Sequence, residues 1–134
     1  DINIENLAKK QSNDKFIGKT NEGLIFIDPE SVKTIVKDEQ YYLVVAVDEY
    51  YTDNILEKIK TKQNIKNASY ATSLYLFTND GEFYCVPQKY ILDDKDKICA
   101  DLGSNMQMQL VDKPILNEVY VAALDILNQN KREK

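Results

Sequence analysis

The stretch YILDDKDKICAD, at 90–101, crowds four aspartates, two lysines and a cysteine between apolar residues. The carboxylates of Asp94 and Asp96 resemble the start of a calcium loop, in which oxygen ligands recur at every second position. The pattern then stops, because no Gly follows directly, no Glu closes the loop, and lysines stand where ligands are needed. We therefore interpret residues 93–97 as a charged hairpin tip that holds no metal ion.

Two cysteines, Cys85 and Cys99, flank this loop on successive predicted strands. Export to an oxidising compartment favours a disulfide between them. Their unequal distances from the loop centre do not place them opposite each other in a regular ladder, which favours two buried thiols instead. Both alternatives follow from the sequence, and neither predicts a catalytic thiol.

The chain contains no histidine, although it has acidic groups at Asp48-Glu49 and at 93–96. Without histidine there is no neutral-pH proton shuttle, no Ser-His or Cys-His pair, and no imidazole metal ligand. A carboxylate pair across a cleft is the remaining catalytic arrangement, as in glycosidases, but nothing in the spacing places two acids in that way. The sequence therefore predicts a protein that is not an enzyme and needs no cofactor.

Nine tyrosines are the second unusual feature of the composition. Strand alternation sends one member of each adjacent pair outward, which predicts an aromatic surface for a protein partner or for a second copy. The alternative is a pocket between helix and sheet that carries a small ligand. The candidates for the binding surface are Tyr41, Tyr42, Tyr50, Tyr51, Tyr70 and Tyr75.

A length of 134 residues fits one domain. The net charge of -5 argues against nucleic acid, which calls for a basic footprint. No apolar run reaches the roughly 18 residues that span a bilayer. The polar start, with Asp1 as its first residue, predicts an exported protein with a tether at 1–14, a domain at 15–130 and a basic tail at 131–134.

The predicted elements make an α+β domain. Its antiparallel sheet has five to seven strands, of which the run at 41–51 is central because both of its faces carry bulky residues. A short helix is predicted near 53–63, and Pro87 predicts an edge position or a bulge in its strand. A long helix begins at Pro114 and packs on one face of the sheet. Its docking residues are Leu116, Val119, Ala123, Ile126 and Leu127.

The segment LIFIDPESV resembles the YYIDxxSI stretch of the surface-adhesin protein E family of small exported bacterial domains. The matching residues are Phe26, Ile27, Asp28, Ser31 and Val32. The order of the later elements, up to PILNEVYVAALDIL, is similar as well. The family's cysteines before the middle strand and in the last helix have no counterpart, since those regions read NASY and AALDIL.

This resemblance implies an antiparallel sheet with a C-terminal helix, export to the cell surface or envelope, adhesion to host proteins and self-association. Together with the residues, it predicts a non-enzymatic protein of the bacterial cell envelope that binds another macromolecule. The sequence does not identify the partner; the resemblance implies a host or envelope protein, and a homodimer is the simplest first form of such a contact.

Overall fold

Eight strands and two helices follow one another along residues 13–132, the part of the chain that the computed structural model describes. The strands are β1 (Lys15–Lys19), β2 (Gly23–Ile27), β3 (Lys33–Lys37), β4 (Gln40–Tyr51), β5 (Tyr70–Thr78), β6 (Phe83–Leu92), β7 (Ile98–Asp101) and β8 (Asn105–Leu110). The helices are α1 (Asp53–Gln63) and α2 (Pro114–Arg132), and a 3₁₀ turn covers Pro29–Ser31. The predicted α+β class is confirmed, and the sheet has more strands than the predicted five to seven.

All eight strands join one antiparallel sheet in the order β1-β2-β4-β5-β6-β7. The remaining strands share edges: β3 pairs with the first half of β4, on the side where β2 pairs with its second half. In the same way β7 pairs with the last part of β6 and β8 with its first part. The long run at 41–51 is therefore central, as predicted, because it has neighbours on both sides.

A bulge interrupts β6 at Pro87. Leu76 pairs with Cys85, whereas Leu74 pairs with Gln88, so that two residues of β6 lie opposite Tyr75. This confirms the predicted bulge, which arises because proline has no N–H to give to the ladder. The extra residue reverses the side to which every later residue of β6 points.

Helix α2 packs on the face of the sheet formed by Leu43, Val45, Val47 and Phe77, which we call the helix face. Of the predicted docking residues, four are buried and Leu127 is partly buried. Tyr120 is also buried in this contact, although the aliphatic pattern did not single it out. Since Pro114 is the first residue of α2, the predicted start of the helix is confirmed.

Helix α1 covers the end of the same face. Its apolar stripe of Ile55, Leu56 and Ile59 packs against a cluster formed by Tyr51, Ala71 and Ile91. Both helices therefore lie on one side of the sheet. Within residues 13–132 neither helix is long and apolar enough to cross a membrane.

The opposite side, which we call the open face, carries a row of aromatic residues across four strands. The rings of Phe16, Phe26, Tyr50 and Tyr70 follow one another with centroid distances of 5.4, 5.7 and 4.7 Å. Phe26 is only 2% exposed, and Leu24 of the same cluster is fully buried.

Two predicted segments lie largely outside the described residues. The tether at 1–14 overlaps the structure only at Asn13 and Asp14, and the tail at 131–134 only at Lys131 and Arg132. These last two residues form the final turn of α2, where cationic side chains suit the negative end of the helix dipole.

Candidate ligand-binding cleft

A cleft of about 420 Å³ opens between the first turns of α2 and the middle of the helix face. The first turns of α2 form one wall, the turn between β1 and β2 forms the rim, and four strands form the floor. Apolar residues and four charged side chains line it together: Ile25, Val47, Ile115, Leu116 and Val119, with Glu22, Glu49, Lys89 and Lys113.

The floor is set by strand register. Val47 of β4 pairs with Ser73 of β5, which pairs with Lys89 of β6, so that these three side chains stand in one row on the helix face. Glu49 lies two residues further along β4 on the same face. Lys89 belongs to this row only because of the bulge at Pro87, since an unbroken β6 would point it to the open face.

The rim is held by the hydroxyl of Thr20. It accepts hydrogen bonds from the N–H groups of Glu22 at 3.1 Å and Gly23 at 3.2 Å. This tightens the turn between β1 and β2 and places Glu22 at the mouth of the cleft.

Glu49 is the most enclosed acid of the cleft. Burial raises the pKa of its carboxyl, while the nearby positive charge of Lys89 and a hydrogen bond from the hydroxyl of Tyr51 act in the opposite sense. The negative charge of Glu22 raises this pKa and the positive charge of Lys113 lowers it, both more weakly. Among residues 13–132, no salt bridge joins any two of the four charged groups of the cleft.

Two tyrosines close one side of the cleft. The rings of Tyr75 and Tyr84 stack with their centroids 5.7 Å apart and their planes at 9°. Burial raises the pKa of both hydroxyls, and the negative charge of Glu49 raises that of Tyr75 further. Both hydroxyls therefore stay protonated at neutral pH and provide neutral hydrogen-bonding groups next to the charges.

The six tyrosines proposed as a binding surface do not form one exposed patch, which corrects that interpretation. Tyr50 and Tyr70 are buried on the open face, and Tyr51 is buried under α1. Tyr75 lines the cleft on the other side of the sheet. Of the remaining two, Tyr42 is half-buried and Tyr41 is 61% exposed near the turn between β3 and β4.

Both cysteines are free thiols, so the disulfide alternative is not what the structure contains. Cys85 is buried opposite Leu76, while Cys99 is only partly buried in β7, which pairs with the far end of β6. The six residue steps along β6 from Cys85 to Ile91 span about 20 Å, well beyond the reach of a disulfide. The two-thiol alternative holds in number, but only one thiol is buried.

The loop at 93–97 uses its carboxylates for its own backbone. Asp93 accepts hydrogen bonds from the N–H groups of Lys95 at 2.9 Å and Lys97 at 3.0 Å, and Asp96 accepts one from the hydroxyl of Tyr70 at 2.7 Å. Across residues 13–132 no cluster of acids or cysteines has the arrangement of a metal site. The loop joins β6 to β7, as a hairpin tip should.

The residues of the protein E-like motif fix the connection between β2 and β3. Asp28 accepts a hydrogen bond from the N–H of Glu30 at 3.0 Å. The hydroxyl of Ser31 donates to the carbonyl of Asp28 at 2.6 Å and accepts from the N–H of Ala46 at 2.8 Å. Phe26, Ile27 and Val32 are buried. In this chain the motif therefore locks a turn onto β4.

Sequence reasoning did not single out Glu22, Ser73, Lys89 or Lys113 as site residues. A signal exists only for Lys89, a cation that follows the bulge-forming Pro87 within a strand. Comparison with protein-family models, with curated proteins and with solved structures found no match to this chain. The resemblance to the protein E family therefore stays a prediction.

Proposed function

We propose that this protein is a non-enzymatic binding protein that takes a small ligand into the cleft between α2 and the sheet. The cleft itself carries the proposal. Its volume of about 420 Å³ falls in the range of about 300–1,000 Å³ that is typical of small-molecule sites. It also combines apolar walls with a few polar groups, and Tyr75 and Tyr84 face it instead of solvent.

A dye that fluoresces in apolar cavities, 1-anilinonaphthalene-8-sulfonate, tests this proposal. We expect saturable binding to the unmodified protein. Ser73→Leu fills the floor of the cleft, so we expect it to abolish most of that binding. Ser104→Leu makes the same change at an exposed position between β7 and β8 and serves as the control. Equal binding to the two variants would contradict the proposal.

A second candidate function is contact with a macromolecule by an exported protein of the cell envelope. One observation favours it: all six residues of β8 are exposed and none is charged. Met106, Met108 and Leu110 share one side of this strand and are 48%, 37% and 58% exposed. An uncharged apolar row at a sheet edge is a usual site of association.

The simplest form of this contact is a homodimer. Sedimentation at several protein concentrations should then show association that Met108→Lys abolishes. Gln107→Lys places the same charge on the other side of β8 and should leave association intact. A protein that stays monomeric at all concentrations would remove the homodimer, and fractionation of cells that make the full-length product would test export.

A further inference from the structure

The charged groups of the cleft are two acids and two lysines. Glu49 and Lys89 stand on the floor, and Glu22 and Lys113 stand near its mouth. A ligand with one kind of charge would satisfy two of these groups and repel the other two. A ligand that carries both charges can match all four, and desolvated polar groups reward such a match strongly.

Strand register sets the spacing of the two floor charges. Lys89 and Val47 lie in one row on β6 and β4, with β5 between them, so their Cα atoms are about 10 Å apart across the sheet. Glu49 is displaced by two further residues, about 7 Å, along β4. Because no salt bridge joins the two side chains within the described part of the chain, a ligand that contacts both must hold its own two charges apart.

Next to the two charges the cleft has an apolar surface. Val47 and Ile25 are its apolar floor residues, Leu116 and Val119 of α2 form the facing wall, and Ser73 of β5 lies between the strands that carry the two charges. The four apolar side chains cannot hydrogen-bond to a polar linker, so a ligand body that packs on them is apolar.

We propose that the cleft binds a small zwitterion whose amino and carboxyl groups stand at the two ends of a short apolar body, as in an ω-amino acid or an apolar dipeptide. The ammonium group lies against Glu49 and the carboxylate against Lys89, while the apolar body packs against Leu116 and Val119 of α2. Glu22 and Lys113 draw the two ends in at the mouth. This inference rests on the proposed function of the cleft and names its ligand class.

Three probes of equal chain length test the inference: 6-aminohexanoate, hexanoate and hexylamine. They share an apolar body and differ only in which charges they carry. By calorimetry we expect 6-aminohexanoate to bind about tenfold or more tightly than either of the other two, since each lacks one charge-assisted contact.

Two variants, one isosteric and one apolar, then show which charged side chain contacts which end of the ligand. Glu49→Gln should weaken 6-aminohexanoate and hexylamine but leave hexanoate unchanged, and Lys89→Met should do the reverse. Lys62→Met, exposed on α1 outside the cleft, is the control. If Glu49→Gln fails to fold, Glu22→Gln at the exposed rim removes the other acid of the cleft and should weaken the same two probes.

The outcomes separate the ligand class from the cleft itself. Equal affinity for all three probes, abolished by Ser73→Leu, would overturn the zwitterion inference and keep a ligand cleft. Binding unaffected by Ser73→Leu, or no binding of any probe, would overturn both.

Discussion

The hydroxyl of Tyr120 donates a hydrogen bond of 2.7 Å to the main-chain carbonyl of Asn79. This contact ties α2 to the turn between β5 and β6, forty-one residues earlier in the chain. The ring of Tyr120 also packs against Phe77, with centroids 5.5 Å apart. The helix that walls the cleft is therefore anchored at the sheet end through one buried aromatic residue.

Tyr120→Phe keeps the ring contact and removes only the hydrogen bond. We expect the free energy of unfolding to fall by about 1 kcal/mol, the usual net contribution of such a bond. Urea denaturation measures the change. Tyr41→Phe, at a residue that is 61% exposed, is the control and should have little effect. Equal stability of the two variants would show that the bond contributes nothing.

Gly81 lies directly under the ring of Tyr120. Its φ is +75°, and a Cβ placed there would stand 2.5 Å from the ring. Gly81→Ala should therefore destabilise through both backbone strain and a clash. Gly103→Ala has the same strain, at φ +83°, with no atom within 4 Å. We expect Gly81→Ala to lower the melting temperature more, and equal losses would rule out the clash.

The apolar face of α2 should carry much of its docking energy. Ile126 is 8% exposed and belongs to the main core cluster. Truncation of such a buried Ile leaves a cavity, so Ile126→Ala should cost about 2–5 kcal/mol. Val121→Ala, at a residue that is 45% exposed on the same helix, should cost far less. An unchanged melting temperature for Ile126→Ala would contradict the docking of α2.

The elements of this fold are readable from local patterns. The 3.6-residue spacing after Pro114 predicts α2, and the bulk on both sides of the run at 41–51 predicts a central strand. The exposure of the tyrosines is not readable in this way. Alternation tells which tyrosines share a face, but burial depends on where both helices pack and on which side chains surround each ring.

The cleft could not be predicted for a related reason. Glu49 and Lys89 lie forty residues apart in the chain and line the same cleft only because of the register of three strands. A single extra residue at Pro87 decides whether Lys89 points into the cleft or away from it. The proline indicates a bulge, but the direction of the later side chains follows only once the pairing with β5 is known.

The loop at 93–97 should bind no calcium. Asp93 already accepts two main-chain hydrogen bonds, which hold the pKa of its carboxyl below its ordinary value. Two lysines within the loop add local repulsion for a cation. We expect the same melting temperature with and without millimolar calcium chloride. A calcium-dependent rise that Asp94→Asn removes would overturn the hairpin-tip interpretation.

A pair of carboxyl groups on the open face should make stability depend on pH. Asp14 shares a hydrogen bond with Asp48, and burial, followed by the charges of Asp48 and Asp28, raises the pKa of Asp14 to about 6. The pKa of Asp48 is raised too, mainly by burial, and the charges of Asp28 and Asp96 add to this while a hydrogen bond with Thr72 opposes it. The neighbouring hydroxyls of Tyr50 and Tyr70 are neutral, because burial raises their pKa values.

The sign of the effect follows from where the proton is held. The carboxyl of Asp14 titrates near 3.8 without these neighbours and near 6 with them, so between these values the folded chain binds more protons than the unfolded chain. This contribution to stability is fully present below about pH 4 and is lost as the pH rises through about 6.

Asp48→Asn removes the repulsion and can donate its amide N–H to Asp14. We therefore expect Asp48→Asn to raise the urea midpoint at about pH 7 and to change it little at about pH 4. Asp94→Asn, at the exposed hairpin tip, removes the same formal charge and should not reproduce the difference; if it does, net charge and not the Asp14–Asp48 pair causes the effect.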